Sequence, residues 1–555
     1  MRRFLLILTF IFIIFFLGRS LNPFNNKMFT FHDETQAARI NQFVLNLNNL
    51  KIPPRIAPDF SFKLGFPVFN YYAPFPYWLT SSFHLVGISI INSLKISFLL
   101  AIILSFISMY LFTSQFFGFF PSLLSGALYV SSPWLAVEIF IRGNLAETWF
   151  IALLPLAFWA VYINQKNKSR WFFVLTSLIL GFVFTSHNVL SIVFIPAILI
   201  FILLLKNKNR NLLSLLFAFL INAYYFIPAI LEVGATNAIL IVKHAHYSQN
   251  LLCLWQLWTT PFWGYGGSGP GCTDDGMSFM LGKPQIILGS IGLIFLIIKI
   301  IKERKNRLPL FFIILLFFSS VYFVTYLSLP ISLFFEKYLL FFQFPWRLLV
   351  FSLFGMSFFI AALNIPNKFK KLEIFFVFLS IMVIVYNSKF FIKHTMTNKK
   401  FNQDFLSSLY INKMVSYKIA EYLPITVNYK KWLELEPTTT GKEKIEVNLI
   451  DNQFIHSLDK EKISILYDQP FYKKASTSSR KVLINVSYSP YWEITVNNQK
   501  IIPKNLDYLG RPILDINSPS IITVKYEQTT IEKVGNFVSI ITFIGLILFV
   551  KLFYG

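Results

Sequence analysis

The first 39 residues read MRRFLLILTFIFIIFFLGRSLNPFNNKMFTFHDETQAAR. Arg2 and Arg3 precede an apolar run, Phe4–Leu21, and beyond it come the acidic pair Asp33-Glu34 and then Arg39. A run of about 18 apolar residues is long enough to cross a bilayer, and a Lys/Arg-rich flank stays cytoplasmic. No small-residue cleavage site follows, since Gly18-Arg19-Ser20 leads into Leu21-Asn22-Pro23. The run is therefore expected to stay as a first transmembrane helix and not to be removed as a signal peptide. The two acids then emerge just past the membrane on the opposite side.

The same alternation continues along the chain. Basic clusters at Lys166/Lys168/Arg170, Lys206/Lys208/Arg210, Lys302/Arg304/Lys305/Arg307 and Lys368/Lys370/Lys371 fill every second gap between apolar runs. The other gaps hold acids, histidines and both cysteines. Hydropathy predicts about twelve spans. They lie near Phe4–Leu21, Ile91–Thr113, Phe116–Trp134, Trp149–Asn164, Trp171–Ser186, Leu190–Leu205, Leu212–Leu231, Ile286–Ile301, Leu308–Leu327, Arg347–Leu363, Leu372–Phe391 and Val534–Leu552. Threaded by the positive-inside rule, both termini are cytoplasmic and every long polar insertion is extracytoplasmic. The expected product is a multi-pass plasma (inner) membrane protein.

Composition agrees: 55% of the 555 residues are hydrophobic and 14% charged, with a mean hydropathy of +0.59, too apolar for a soluble chain of this size. The net charge of +24 lies in anchoring clusters and a lysine-rich tail. No basic helix or base-stacking module carries it, so a nucleic-acid partner is not expected. Cys253 and Cys272 share one outward loop, and the sequence leaves open a disulfide or two separate thiols.

Five outward segments hold the polar residues that chemistry would use. After the Asp33-Glu34…Arg39 stretch, Gly65–Trp78 is dense in proline and aromatics, which breaks any long helix and suits short helices at the headgroup level. The second segment carries Glu138, Arg142, Gly143, Asn144 and Glu147; the third carries His187, read as a hydrogen-bonded histidine at a helix end. The fourth holds Lys243-His244-Ala245-His246 and the glycine-rich Trp263–Asp275, where Asp274 and Asp275 read as turn residues. The fifth holds Phe344-Pro345-Trp346-Arg347, with the arginine at a helix mouth. Three domains are expected: residues 1–392 as the polytopic membrane part, 393–533 as an extracytoplasmic, mainly β domain, and 534–555 as a final transmembrane helix. In the tail, Lys481–Ser487, Tyr491–Val496, Pro512–Ile516 and Ile521–Tyr526 alternate as strands, and Asn497-Asn498 marks a hairpin. A small β-sandwich follows, with Ser407–Tyr429 helical.

The chain has no Walker loop, no HExxH and no GxSxG on a strand-turn-helix, so ATP-driven transport and metalloprotease chemistry lack their motifs. An acidic pair and several arginines on an outward membrane face suit another chemistry. An aspartate there can be a general base toward an acceptor hydroxyl, or can bind a divalent cation together with Glu34. An arginine can hold a lipid-linked phosphate bidentately.

A first span followed by Asp33-Glu34 and Arg39, many spans and a soluble tail resembles the GT-C superfamily of membrane glycosyltransferases. Four stretches resemble, more narrowly, the bacterial membrane proteins labelled "6-pyruvoyl-tetrahydropterin synthase-related domain" and the YfhO-like proteins. These are His32-Asp33-Glu34…Arg39, Gly65–Pro74, Arg142-Gly-Asn-Leu-Ala-Glu147 and Phe342-Gln-Phe-Pro-Trp-Arg347. Ser489-Pro-Tyr-Trp-Glu493 also resembles the YfhO-like tail. No His triad of a soluble pterin synthase is present, and Thr35-Gln36 separate the acids from the next basic residue further than in many GT-C members. The resemblance implies sugar transfer from a polyprenyl-phosphate donor to a glycan or protein acceptor of the cell envelope, on the outer face. Asp33 is the expected base and Glu34 its helper or metal ligand. Arg39, Arg142 and Arg347 are the expected phosphate ligands, and Glu147 orients an arginine or the acceptor. The rival readings are a transporter or flippase of lipid-linked glycans, which would place broken or charged helices at mid-membrane, and a non-catalytic envelope scaffold.

Overall fold

The computed structural model describes residues 1–167, 169–238, 246–260, 263–273, 275–303, 306–363, 373–393, 395–435, 453–517 and 519–551. Each apolar stretch listed above contains a helix. Among the described residues six helices are long and apolar enough to cross a membrane: Ile90–Thr113, Phe119–Arg142, Leu145–Lys166, Lys283–Lys302, Arg307–Val324 and Thr530–Phe549. A seventh is the pair Lys208–Ile221 and Ala223–Leu231 if they count as one span bent by 71°. Arg170–Phe184, Asn188–Leu203, Pro345–Ile360 and Phe375–Phe391 are shorter. Hydropathy counts apolar residues without registering where a helix stops. Between the first two of these shorter helices the chain turns at Thr185–His187, and the His187 side chain caps the next helix by accepting from the Leu190 N–H.

The helix Phe119–Arg142 is buried throughout its span. Small residues let its neighbours approach: a Cβ on Gly126 would lie 3.0 Å from the Phe106 carbonyl oxygen, and Ser125 Oγ donates to the Ser357 carbonyl at 2.6 Å. The loop that follows the first helix is ordered against this bundle. Its strand β1 (Lys27–Phe29) pairs antiparallel with β2 (Thr395–Thr397). The helices Gln36–Asn48, Val68–Tyr71 and Phe75–Leu85 follow, as short as the proline-rich sequence requires.

The tail contains the expected two-sheet β structure. Nine strands follow: β3 (Ile455–Ser457), β4 (Ile463–Gln469), β5 (Tyr472–Thr477), β6 (Lys481–Ile484), β7 (Trp492–Val496), β8 (Gln499–Ile501), β9 (Asn505–Leu506), β10 (Pro512–Asp515) and β11 (Ser520–Tyr526). One sheet has the order β3-β6-β10-β9 and the other β4-β5-β11-β7-β8. Val482, Ile484, Trp492, Ile494, Ile522 and Val524 fill a shared core with Ile56 of the first loop. Asn497 and Asn498 have φ of 49° and 66°, the positive values a two-residue type I′ hairpin requires. Ahead of the sandwich, Phe401, Tyr410, Val415, Leu423 and Trp432 are buried in the main helical core, so residues 395–435 pack with the membrane part and its first loop.

The C-terminal helix is held by buried polar contacts. Arg55 donates to Asn70 Oδ1 (3.0 Å), the Tyr224 carbonyl (2.8 Å) and Asn536 Oδ1 (2.7 Å). Asn70 in turn donates to Glu532 at 2.5 Å.

Candidate active site

The segment Ser132–Glu147 builds the centre of the site. Its helix loosens into a π-turn over Val137–Arg142 and ends at Gly143, whose φ is +64°. A side chain there would be strained in that conformation and would also collide, because a Cβ would lie 2.1 Å from Phe31. The close approach has a purpose visible in the backbone: His32 N–H donates to the Ile141 carbonyl at 2.9 Å and Asp33 N–H to the Arg142 carbonyl at 2.8 Å. Asp33 is thereby fixed beside Arg142. Asn144 then starts the next helix, its side chain accepting from Glu147 N–H at 3.0 Å.

Glu138 and Glu147 are fully buried, and Arg142 lies between them. Arg142 Nη1 donates to Glu138 Oε1 and Oε2 (2.7 and 2.9 Å) and to Glu147 Oε2 (2.8 Å), while Nη2 donates to Glu147 Oε1 (2.9 Å). Arg347, 200 residues further along, donates from Nε to Glu147 Oε1 at 3.1 Å. Its Nη1 donates to the Phe342 carbonyl and Gln343 Oε1 at 3.1 and 3.2 Å, leaving Nη2 without a partner among the described residues. His187 Nε2 lies 3.4 Å from Glu147 Oε1. Because Nδ1 accepts the Leu190 N–H at 3.2 Å, the proton of a neutral ring sits on Nε2, facing the carboxylate. Burial lowers the His187 pKa against the pull of Glu147, which favours that neutral form.

Asp33 lies at the open edge of this cluster. Its carboxylate is 30% exposed, with His32 Nδ1 at 3.1 Å. Glu34 turns away and pairs with Lys418. The two acids therefore do not converge as a chelate. Among the described residues no group of three or more His, Cys, Asp or Glu could hold a metal ion. Arg39 is buried on the helix Gln36–Asn48. It donates from Nη1 to Tyr77 Oη at 3.2 Å, lies 4.5 Å from the Tyr72 ring centre, and leaves its buried Nε without a partner. Nearby, burial raises the Glu421 carboxyl above the usual range against the pull of Arg39.

Of the sequence candidates, Asp33, Arg142, Glu147 and Arg347 meet in one place. Arg39 stands one tyrosine away, and Glu34 belongs to a separate pair. Arg142 is clamped between two buried carboxylates that offset its charge, the geometry of a positioning residue. Glu138 and His187 are members that sequence reasoning left out of the site; the i, i+4 spacing of Glu138 and Arg142 was the available signal for the first. Glu421 carried no signal at all. Asp275 is a buried turn residue, bonded to Gln256 and Ser268. Lys243, His244 and Asp274 lie outside the described residues. Cys253 and Cys272 form a disulfide, closing the choice the sequence left open.

Residues 69–268 match a family model. Its description is "6-pyruvoyl-tetrahydropterin synthase related domain; membrane protein", and the matched range contains Tyr72, Arg142, Glu147 and His187 but neither Asp33 nor Arg347. No curated protein matches the chain. Among solved structures, the arabinofuranosyltransferase AftD from Mycobacteria is 11% identical with a TM-score of 0.42, over 71% of this chain and 27% of that one. ArnT from Cupriavidus metallidurans bound to undecaprenyl phosphate is 13% identical with a TM-score of 0.44, over 69% and 75%. The Archaeoglobus fulgidus oligosaccharyltransferase tethered with an acceptor peptide is 14% identical with a TM-score of 0.44, over 80% and 60%. The chain thus spans about a quarter of AftD's length. The resemblance to the pterin-synthase-related membrane domain seen in the sequence recurs here in the family match.

Proposed function

We propose that this protein is a membrane glycosyltransferase taking its sugar from a polyprenyl-phosphate donor. The supporting observation is the docking of Asp33 on the Arg142 backbone, which sets an accessible carboxylate beside a buried cluster that ends in an arginine with a free amine. In the proposed step an acceptor hydroxyl gives its proton to Asp33 while its oxygen lone pair bonds to the sugar C1. The C1–O bond to phosphate breaks, and its electron pair leaves with the polyprenyl phosphate. Arg347 Nη2 meets the charge that develops there. Arg39, one tyrosine away, is a second candidate cation for the phosphate, with a buried Nε that has no partner among the described residues. Glu147, gripped by Arg142, Arg347 and His187, fixes the arginine that touches the donor.

The site belongs on the extracytoplasmic face in this reading, with the bilayer, a lipid-linked sugar and an envelope glycan or protein as partners. The disulfide supports that side, because disulfides persist in oxidising compartments. In this reading residues 1–392 are the membrane part, 393–533 lie outside with 395–435 packed on the membrane part and the β-sandwich beyond them, and 534–555 anchor the chain.

Asp33→Asn is the test. It keeps the shape and removes the base, so purified protein in nanodiscs should transfer labelled sugar from undecaprenyl-phosphate-linked hexoses about 10²–10⁴ times more slowly. Its stability should change by under about 1 kcal/mol, since the carboxylate has one half-exposed partner. Transfer at the parental rate would remove Asp33 as the base. Flipping of lipid-linked sugar without transfer would favour the transporter reading.

A further inference from the structure

The glycine-rich loop reaches back over the site. Tyr265 lies flat on His32, ring centres 3.3 Å apart and planes within 11°, and His32 is the residue that holds Asp33. With one face against the imidazole, Tyr265 is still 42% exposed. A tyrosine ring offers an apolar face and a polar hydroxyl together. Its hydroxyl lies within electrostatic reach of Arg142, Asp33, Arg347 and Glu147, and burial raises its pKa. The ring thus sits on the residue that holds Asp33, beside the charged cluster.

The loop is built to hold that position. Gly266 and Gly276 cross at backbone contact, where a Cβ on either would lie within 2.8 Å of the other's Cα, and Gly276 N–H donates to the Gly267 carbonyl at 2.9 Å. Gly267 lies against Trp346, whose ring is 3.4 Å from its would-be Cβ, so the loop rests on the residue next to Arg347. Gln256 bonds both Ser268 and Asp275 across the loop, and Cys253–Cys272 closes its base.

We infer that Tyr265 is the platform on which the donor's sugar ring stacks, beside Asp33 and Arg347. The inference rests on the glycosyltransferase reading and adds how the sugar, as distinct from its lipid phosphate, is recognised. A sugar presents an apolar C–H face and a hydroxyl rim, the complement of an aromatic face bordered by charged groups. As the C1–O bond breaks the ring gains oxocarbenium character, and a π-face stabilises that positive charge. Glycosyl transfer therefore gains at the transition state as well as in binding.

The experiment compares two probes on the full chain in nanodiscs: undecaprenyl-phosphate-linked hexose and undecaprenyl phosphate alone. The parent should bind the sugar-bearing lipid more tightly. Tyr265→Ala should weaken that lipid roughly tenfold while leaving undecaprenyl phosphate unchanged, and Tyr265→Phe, which keeps the ring, should restore most of the loss. Equal weakening of both lipids by Tyr265→Ala, or failure of Tyr265→Phe to restore, would overturn the platform. A parent that binds the two lipids equally also overturns it, while leaving Asp33 chemistry standing. A parent that binds neither lipid refutes the glycosyltransferase reading itself.

Discussion

Replacing Arg142 by Gln tests the buried ion cluster directly. Glu138 and Glu147 are both 0% exposed, and Arg142 supplies both side-chain hydrogen bonds of Glu138 and two of those of Glu147. After the substitution Glu147 still has Arg347, His187 and Asn144, whereas Glu138 has no cation. Removing one partner of a buried ion pair costs about 3–5 kcal/mol, because a charge is left without its counterpart. A kilocalorie moves the midpoint by about 2–4 °C in domains of 150–250 residues and by less in a chain of 555, so Arg142→Gln should lower it by about 3–5 °C. Most of the loss belongs to one stranded acid, so adding Glu138→Gln should recover a large part of it, giving a coupling of about 1–3 kcal/mol between the two changes. The assay is thermal unfolding of detergent-solubilised protein at one scan rate, read by size-exclusion of the surviving fraction. A midpoint within about 1 °C of the parent, or no recovery in the double variant, would refute the claim that Arg142 serves mainly to neutralise and hold these two glutamates.

The other expectations are narrower. Gly143→Ala should destabilise or displace the Phe31–Asp33 segment, because its φ is +64° and a Cβ would lie 2.1 Å from Phe31; limited proteolysis between residues 22 and 35 should then accelerate, and an unchanged pattern would contradict the packing. Arg347→Lys keeps the charge but loses the fork that reaches Glu147 and the donor together, so transfer should fall more than tenfold and parental kinetics would exclude Arg347 as the phosphate ligand. His187 has a folded pKa lowered by burial, so the unfolded chain binds the extra proton first as pH falls through about 6.5. Stability should therefore decline from pH 7 toward 5, with a shallower slope in His187→Gln, and equal slopes would remove His187 as a source. Lys500, whose side chain is 66% exposed, offers a topology test: Lys500→Cys in a chain lacking Cys253 and Cys272 should react with an impermeant maleimide in intact cells, and labelling only after lysis would put the sandwich in the cytoplasm.

Much of this architecture can be read from the sequence because membrane crossing and side are written in local composition. The alternation of basic clusters with acid-bearing gaps groups Asp33, Arg142, Glu147 and Arg347 on one face before any coordinate is known. The strands of the sandwich that alternate strictly, β6, β7, β10 and β11, are equally plain. β4 is a surface strand whose side chains are nearly all exposed, so it offers no period-two signal.

What escaped is contact across sequence distance. Nothing in the spacing says that Arg347 grips Glu147 from 200 residues away, that Tyr265 folds back onto His32, or that Glu34, one residue from Asp33, faces Lys418 instead. The role of Arg142 changed for a related reason. A lone arginine on an outward loop reads as a free ligand, and only the positions of Glu138 and Glu147 show it neutralised. That leaves Arg347, whose Nε is held by a buried carboxylate and whose Nη2 has no partner among the described residues, as the candidate phosphate ligand. A preorganised cation of this kind, fixed from behind before a phosphate arrives, is what stabilises a leaving group without reorganisation. It is also why Glu147, which touches no substrate in the proposed step, should matter to the rate: Glu147→Gln should cost turnover through loss of the Arg347 orientation, and donor binding should weaken less than turnover falls.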